Sequence, residues 1–228
     1  MEKTKFDSYA SNYTAVHRDS YRLAGEDPDY FALYKIKYLS SHLRKSNVRP
    51  EELLDFGCGI GSCLTHLVPT FPNSTIHGMD VSSASIEAAK KRAPSVRTAV
   101  IGDTLPLGDE TIDVAMAAGV FHHIPPTERL KWMSEIRRVI RPGGRFYLFE
   151  HNPVNPVTRK MVRDCPFDDD AILLPRRESA TLMRESGFSS VSVDYVMFFP
   201  HMLAKLRPFE RFMTRIPIGA QYVACGVA

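Results

Sequence analysis

The chain has 228 residues, of which 44% are hydrophobic and 24% are charged, and these ordinary globular values exclude a collagen, a disordered chain and a long coiled coil. The net charge is only +3 and the lysines and arginines are spread along the sequence, so a nucleic-acid partner is not expected. The four cysteines show neither a CxxC pair nor zinc-like spacing with histidine, which argues against a disulfide framework and fits a reducing compartment.

Strands alternate with helices along the sequence after a helical start. Apolar residues at helical spacing predict helices over 29–45, 60–68, 82–93, 127–140 and 177–186, and short apolar runs predict strands over 51–56, 75–79, 95–101, 112–118, 145–150, 191–199 and 220–227. Such alternation is typical of βαβ units, so we predict an α/β fold with a doubly wound, mainly parallel sheet. The connection over 200–219 lacks a clear helix, which predicts an antiparallel last strand.

A glycine-rich segment, LLDFGCGIG, follows the first predicted strand. Ligands of open α/β sheets bind beyond the carboxyl ends of the strands, and glycine lets the backbone approach a ligand closely. The spacing is not the dinucleotide pattern GxGxxG, because Ser62 stands where that pattern needs glycine. Asp55 lies just before the glycines, and its carboxylate suits a cationic ammonium group better than a pyrophosphate. The alternative is a glycine turn without a ligand.

Two more acidic residues follow the next two strands. Asp80 ends the second strand, at a distance from the glycines that suits a contact with the two hydroxyls of a ribose. Taken alone, it would be an ordinary residue at a helix N-terminus. Asp103 lies in GDTLPL after the third strand, where it could accept a hydrogen bond from an adenine amino group or simply form a turn.

Five segments in this order resemble the motifs of class I S-adenosylmethionine-dependent methyltransferases of the small-molecule branch. They are LLDFGCGIG, GMDVS, GDTLPL, IDVAMAAGVFHHIP and IRPGGRFYLFEHNP, and they cover roughly residues 50–152. The resemblance implies a seven-stranded sheet with a reversed last strand. It also implies an enzyme that transfers a methyl group from S-adenosylmethionine to a small-molecule acceptor and releases S-adenosylhomocysteine.

The resemblance further implies which residues hold the cofactor. They are Asp55, Gly57, Gly59 and Gly61 for the amino-acid end, Asp80 for the ribose, Asp103 and Thr104 for the adenine, Ala118 and Gly119 for the methionine tail, and Cys58 and Val81 beside them. Tyr13 lies in a stretch that resembles the aromatic lid of such enzymes, where its ring would close over the sulfonium. The alternative for Tyr13 is a core aromatic residue of a covering helix.

Candidates for a catalytic base follow the fourth and fifth strands. His122 and His123 come after the fourth, and Glu150 ends the fifth. This set is similar to that of sugar O-methyltransferases, in which a histidine removes the hydroxyl proton and the acid orients it. A hydroxyl acceptor needs such a base, and histidine titrates near neutral pH. We predict His122 as the base, then His123, with Glu150 orienting it; the alternative is that one imidazole only packs or bonds to the backbone.

The last third of the sequence matches less well. The run 168–170 (DDD) could bind a metal or a cationic substrate group, but such runs are more often solvated turns or helix caps, and no metal is expected. The segment 201–216 (HMLAKLRPFERFMTRI) is basic and apolar. It is expected to pack over the active site or to form a dimer contact, and the alternatives are a membrane surface or a lipid-linked substrate.

We therefore expect a single domain over 1–228, with a helical lid (1–49), a cofactor-binding core (50–152) and a substrate-side segment with the last strands (153–228). The first residues lack an apolar signal core and no run is long enough to span a membrane, so a cytoplasmic monomer or homodimer is expected. O-methylation is favoured. N- or C-methylation of a small molecule or lipid-linked substrate stays open, as do, less strongly, RNA methylation and a module that binds the cofactor without catalysis.

Overall fold

A seven-stranded sheet organises residues 25–228, the part of the chain that the computed structural model describes. Its strands are β1 (Glu52–Phe56), β2 (Thr75–Asp80), β3 (Arg97–Val100), β4 (Ile112–Ala118), β5 (Ile140–His151), β6 (Ser189–Val196) and β7 (Gln221–Val227). The helices are α1 (Pro28–Lys45), α2 (Leu64–Thr70), α3 (Ser83–Arg92), α4 (Pro126–Val139), α5 (Pro156–Arg163) and α6 (Arg176–Glu185). Short 3₁₀ segments cover Phe121–His123, Pro166–Asp168 and His201–Phe212.

The strand order is β3-β2-β1-β4-β5-β7-β6. Strands β1 to β5 pair in parallel, and β7 runs antiparallel to both β5 and β6. The prediction of a doubly wound, mainly parallel seven-stranded sheet with an antiparallel last strand is confirmed.

Both faces of the sheet are buried, as the apolar strands require. On one face, β1 packs Leu53 against α1, α2 and α3, which contribute residues such as Ile36 and Leu67. On the other face, Leu54 belongs to the core that includes Trp132 of α4 and residues of α6. The strand order reverses between β1 and β4, and this switch point is where open α/β sheets bind their ligands.

Some element boundaries differ from the predictions. Helix α2 begins at Leu64 instead of residue 60, because the positive φ of Gly61 is incompatible with a helix at that position. The predicted helix ends at residue 68, whereas α2 continues to Thr70 with Pro69 inside its last turn. Helix α5 was not predicted at all, although Asn155 caps it by accepting hydrogen bonds from two backbone N–H groups.

Candidate functional site

A cavity opens at the carboxyl ends of β1, β2 and β4. The predicted site residues that line it are Asp55, Gly57, Cys58, Gly59, Asp80, Val81, Ala118, Gly119, His122 and His123. The order of the strands explains this meeting, since β1 lies between β2 and β4 and all three are parallel. The structure thus brings together residues from three of the predicted motifs.

The three loop glycines have different surroundings. A Cβ at Gly57 would lie 2.5 Å from a methyl of Val120, and one at Gly61 would lie 3.2 Å from the Cα of Ala89 on α3. A Cβ at Gly59 would meet no atom within 4 Å. Gly57 and Gly61 are therefore needed for packing, whereas Gly59 borders open space in the cavity.

Asp55 is a buried carboxylate at the end of β1. Its Oδ2 has no hydrogen-bond partner among the described residues. Burial raises the pKa of Asp55 to about 7, although the positive charge of Lys35 opposes the increase and the negative charge of Asp80 adds to it. A positively charged group placed against Oδ2 would satisfy this oxygen and favour its ionised form.

Asp80 ties the glycine loop to the start of α3. Its Oδ2 accepts a hydrogen bond from the backbone N–H of Gly59 and its Oδ1 accepts one from Ser82, each at 2.9 Å. Ser82 in turn caps α3 by accepting from the backbone N–H of Ser85. Asp80 also lines the cavity, where a carboxylate can accept hydrogen bonds from hydroxyl groups.

Asp103, Thr104 and Gly61 are not brought to the cavity wall. Asp103 and Thr104 are exposed after β3, and neither is among the residues that line the cavity. Gly61 faces α3 instead. Tyr13 lies outside the described residues. The adenine contacts and the aromatic lid therefore stay predictions.

His122 and Glu150 form a buried pair at the end of β4 and β5. The Nδ1 of His122 lies 2.6 Å from Oε2 of Glu150. The other oxygen, Oε1, accepts hydrogen bonds from the backbone N–H groups of Val120 and Phe121 at 3.1 and 2.8 Å. Burial opposes ionisation of Glu150, but the charge of His122 and these bonds outweigh it and lower the pKa of the carboxyl.

Asp168 approaches both imidazoles from the segment between α5 and α6. Its Oδ1 lies 3.4 Å from Nε2 of His122 and 3.4 Å from Nε2 of His123. Burial alone lowers the pKa of His122, but Glu150 and Asp168 reverse this and raise it to about 10. The neighbouring His151 is different, because burial and the charge of His122 lower its pKa to about 4.

A buried arginine holds the segment that carries Asp168. Arg129 of α4 donates hydrogen bonds to the carbonyl oxygens of Ile124 and Ile172, at 3.0 and 2.5 Å, and pairs with Glu178 at 2.6 Å. The backbone N–H of Ile172 donates to the carbonyl oxygen of His122 at 2.8 Å. These bonds fix the segment over the histidine pair.

Sequence reasoning missed several cavity residues. Phe31 and Lys35 reach the cavity from α1, and Gln221 reaches it from β7 with its Oε1 unpartnered among the described residues. Lys35 is buried, and a lysine on the apolar stripe of an amphipathic helix was the available signal. Asp168 was noticed only as a member of an acidic run.

Comparisons with known proteins agree with this geometry. Residues 54–146 match the family model described as a methyltransferase domain. The chain contains a class I S-adenosylmethionine-dependent methyltransferase domain. A fatty-acid O-methyltransferase from Mycolicibacterium smegmatis is 28% identical over 130 residues, which cover 56% of this chain and 47% of that protein. A demethylmenaquinone methyltransferase from Thermotoga maritima is 33% identical over 110 residues, 47% of each chain.

The fold of the methyltransferase domain also matches solved structures. A methyltransferase from Thermotoga maritima, described as a possible histamine N-methyltransferase, superposes with a TM-score of 0.67 at 19% identity and covers 98% of each chain. The chain spans about half, or less, of the length of the curated relatives it matches. Across residues 25–228, every helix is too short or too polar to cross a membrane.

The residues of the methyltransferase domain fit S-adenosylmethionine. Asp55 presents an unpartnered buried oxygen to the cavity, which suits the ammonium group of the cofactor's methionine part. Gly59 borders empty space where any side chain would project. Asp80 lines the same cavity and can accept from hydroxyl groups.

Proposed function

We propose that this protein transfers a methyl group from S-adenosylmethionine to a hydroxyl group of a small-molecule acceptor, with His122 as the base. The observation that carries the proposal is the 2.6 Å contact between His122 Nδ1 and Glu150 Oε2, since His122 lines the same cavity as Asp55 and Gly59. In this proposal residues 50–152 hold the cofactor, 153–228 cover the acceptor, and 1–49 act as a lid.

The cofactor supplies a methyl group that the positive charge on its sulfur makes reactive. The protein's task is therefore to hold the acceptor oxygen in line with that methyl and to remove the hydroxyl proton. Asp55, Gly59 and Asp80 are proposed to hold the cofactor's amino-acid and ribose ends, while Ala118 and Gly119 line the methionine part. Asp103 and Thr104 are proposed for the adenine end, and Tyr13 for the lid.

Glu150 orients the proposed base. Two backbone N–H groups fix its carboxylate, and its Oε2 accepts the Nδ1 proton of His122. The proton on Nδ1 leaves Nε2 as the basic atom, as in other histidine–carboxylate pairs. Nε2 lies on the side of Asp168, at 3.4 Å.

Asp168 sets the charge state of His122 before the acceptor arrives. With both carboxylates in place the pKa of His122 is about 10, so the ring is protonated and cannot accept a proton at neutral pH. An acceptor hydroxyl that takes the place of Asp168 at Nε2 would remove one carboxylate and lower this pKa. His123, whose ring centroid lies 4.1 Å from that of His122, would help to position the acceptor.

Replacement of His122 tests the base. We expect His122→Ala to lower the turnover of a hydroxyl acceptor by about 10²–10⁴-fold, the usual contribution of a positioned base. Cofactor affinity, measured by calorimetry, should stay nearly constant, because the imidazole is needed only in the transition state. His201→Ala, at an exposed histidine, is the control.

Three other outcomes would each favour a different function. An amine acceptor can lose its proton to water, so a loss of less than about threefold in His122→Ala would favour N-methylation. Cofactor binding without methyl transfer to any hydroxyl, amine or carbon acceptor would favour a non-catalytic module. Retention on RNA that falls with salt would favour RNA methylation.

A second candidate is an apolar or lipid-linked acceptor. The segment His201–Phe212 exposes Met202 (88%), Phe209 (57%) and Phe212 (71%) to solvent. Two of the relatives carry a fatty acid and demethylmenaquinone in their names. We propose that this segment can contact a membrane surface from which such an acceptor would be taken.

A further inference from the structure

We infer that His122, His123 and Asp168 form a binding site for a divalent transition-metal ion such as Zn²⁺. Each residue offers one ligand atom, and the three atoms lie within 4.8 Å of one another. Two neutral imidazoles and one carboxylate are a frequent ligand set for such ions. All three residues line the cavity, so an ion can reach them through it.

Two of the three distances between the ligand atoms suit a tetrahedral ion. Both Nε2 atoms, of His122 and of His123, lie 3.4 Å from the same oxygen, Oδ1 of Asp168. Two ligands that each lie about 2.1 Å from a tetrahedral zinc ion are separated by roughly 3.4 Å. Three protein ligands would leave one coordination position for water or for a molecule in the cavity.

Carboxylates already orient both imidazoles for ligation. Nδ1 of His122 lies 2.6 Å from Glu150 Oε2, and Nδ1 of His123 lies 3.1 Å from Asp170 Oδ1. Histidine ligands of metal ions almost always donate their other ring N–H in this way. With an ion bound, the proton of each ring would lie on Nδ1 and the Nε2 lone pair would point to the metal.

The proposed ion would compete with the base. It occupies the Nε2 lone pair of His122 that proton removal requires, so the metal-bound protein cannot use His122 as a base. This consequence, unlike the site itself, rests on the proposed function. We therefore expect Zn²⁺ to inhibit methyl transfer to a hydroxyl and a chelator to reverse the inhibition.

Metal binding is tested directly on the full, untagged chain after treatment with a chelator. Titration calorimetry with Zn²⁺ should show one ion per chain. Asp168→Asn and His123→Gln should each weaken binding by at least about tenfold, and Asp170→Asn by about tenfold through loss of orientation. Asp164→Asn and His201→Gln, matched changes at exposed residues, should leave binding unchanged.

A second metal and an activity assay separate the possible failures. Co²⁺ should give visible d–d bands without a thiolate charge-transfer band; such a band would assign the ion to Cys58 or Cys63, which also line the cavity, and overturn the site. Zn²⁺ affinity that is equal in Asp168→Asn, His123→Gln and the wild type, all with unaltered circular dichroism, would also overturn it. Unchanged methylation at saturating Zn²⁺ would overturn the competition. If no acceptor is methylated, the proposed function fails and the binding results still decide the metal site.

Discussion

At the level of single residues, burial of Asp55 opposes the ionisation of its carboxyl group, and the ammonium group of the cofactor would favour the ionised form. It is buried, its Oδ2 is unpartnered among the described residues, and its pKa is about 7. The charged or titratable groups that act on it or respond to it are Lys35 on α1, Asp80 on β2, and the thiols Cys58 and Cys63 of the loop. Burial raises the pKa of both thiols, so the two cysteines are neutral near pH 7.

Cofactor affinity should therefore depend on pH. As the pH falls through about 7, Asp55 becomes protonated and can no longer pair with an ammonium group. We expect the affinity for S-adenosylmethionine, measured by calorimetry between about pH 5.5 and 7.5, to decrease toward the acid end, by up to about tenfold per pH unit below the pKa. Asp55→Asn should bind weakly with a flat profile; an equally steep profile in this variant would assign the dependence to another group.

The burial of Asp55 also predicts how the stability of the cofactor-free protein changes with pH. The folded pKa of Asp55 lies above its ordinary value, so the folded state holds this proton more tightly than the unfolded chain does. The free energy of unfolding therefore loses a contribution between about pH 4 and pH 7. Asp55→Asn should remove this loss, so the variant gains stability relative to the wild type at pH 8.

At the level of elements, the glycine loop contains one glycine that packing requires, Gly61, and one that borders the cavity, Gly59. Gly59 and Gly61 both have positive φ, 52° and 86°, so alanine costs about 1–2 kcal/mol of backbone strain at either position. Only at Gly61 would the new Cβ also press on backbone, 3.2 Å from Ala89 Cα. We expect Gly61→Ala to lower the melting temperature more than Gly59→Ala, and Gly59→Ala to weaken cofactor binding by at least about tenfold, because its methyl group enters the cavity.

A larger side chain at position 59 gives a stronger test of whether the loop approaches the cofactor. Gly59→Val should abolish cofactor binding in a protein that still shows a cooperative thermal transition. If Gly59→Ala binds S-adenosylmethionine as tightly as the wild type, the loop does not approach the cofactor at this position and its placement in the site is wrong.

The sequence patterns predicted which helices and strands form better than they predicted where these elements begin and end. The central strands β1 and β4 were predictable because they are apolar runs that both faces of a doubly wound sheet bury. The start of α2 was misplaced because Gly61 has a positive φ and keeps the chain in the loop before Leu64. Helix α5 was missed because Pro156 reads as a loop residue, although proline is favoured in the first turn of a helix.

At the level of the whole molecule, the motifs predicted which residues meet at the switch point but not what covers them. Asp55, Asp80 and His122 meet because parallel strands bring their carboxyl ends together. Asp168 reaches His122 from a segment that Arg129 ties to α4 through Ile172, and such long-range contacts leave no local pattern in the sequence. The confirmed part of the prediction is therefore the sheet, and the approach of Asp168 required the structure.

Apolar side chains and positive charges share the exposed surface of the segment 201–218. Its exposed apolar residues lie among the exposed cations Lys205, Arg211 and Arg215. A surface that combines apolar side chains with positive charge suits the interface of an anionic membrane.

Vesicle binding tests whether the 201–218 segment contacts a membrane. We expect the protein to sediment with vesicles of phosphatidylglycerol and phosphatidylcholine, and more weakly with phosphatidylcholine alone, because the cations add about 1 kcal/mol each near an anionic surface. The double change Phe209→Ser with Phe212→Ser should lower the partition coefficient by at least about tenfold, since two aromatic rings no longer leave water. Leu130→Ser on α4, 42% exposed, is the matched control. Equal sedimentation of the double variant and the wild type would show that 201–218 does not face the membrane, and would leave an acceptor delivered from solution.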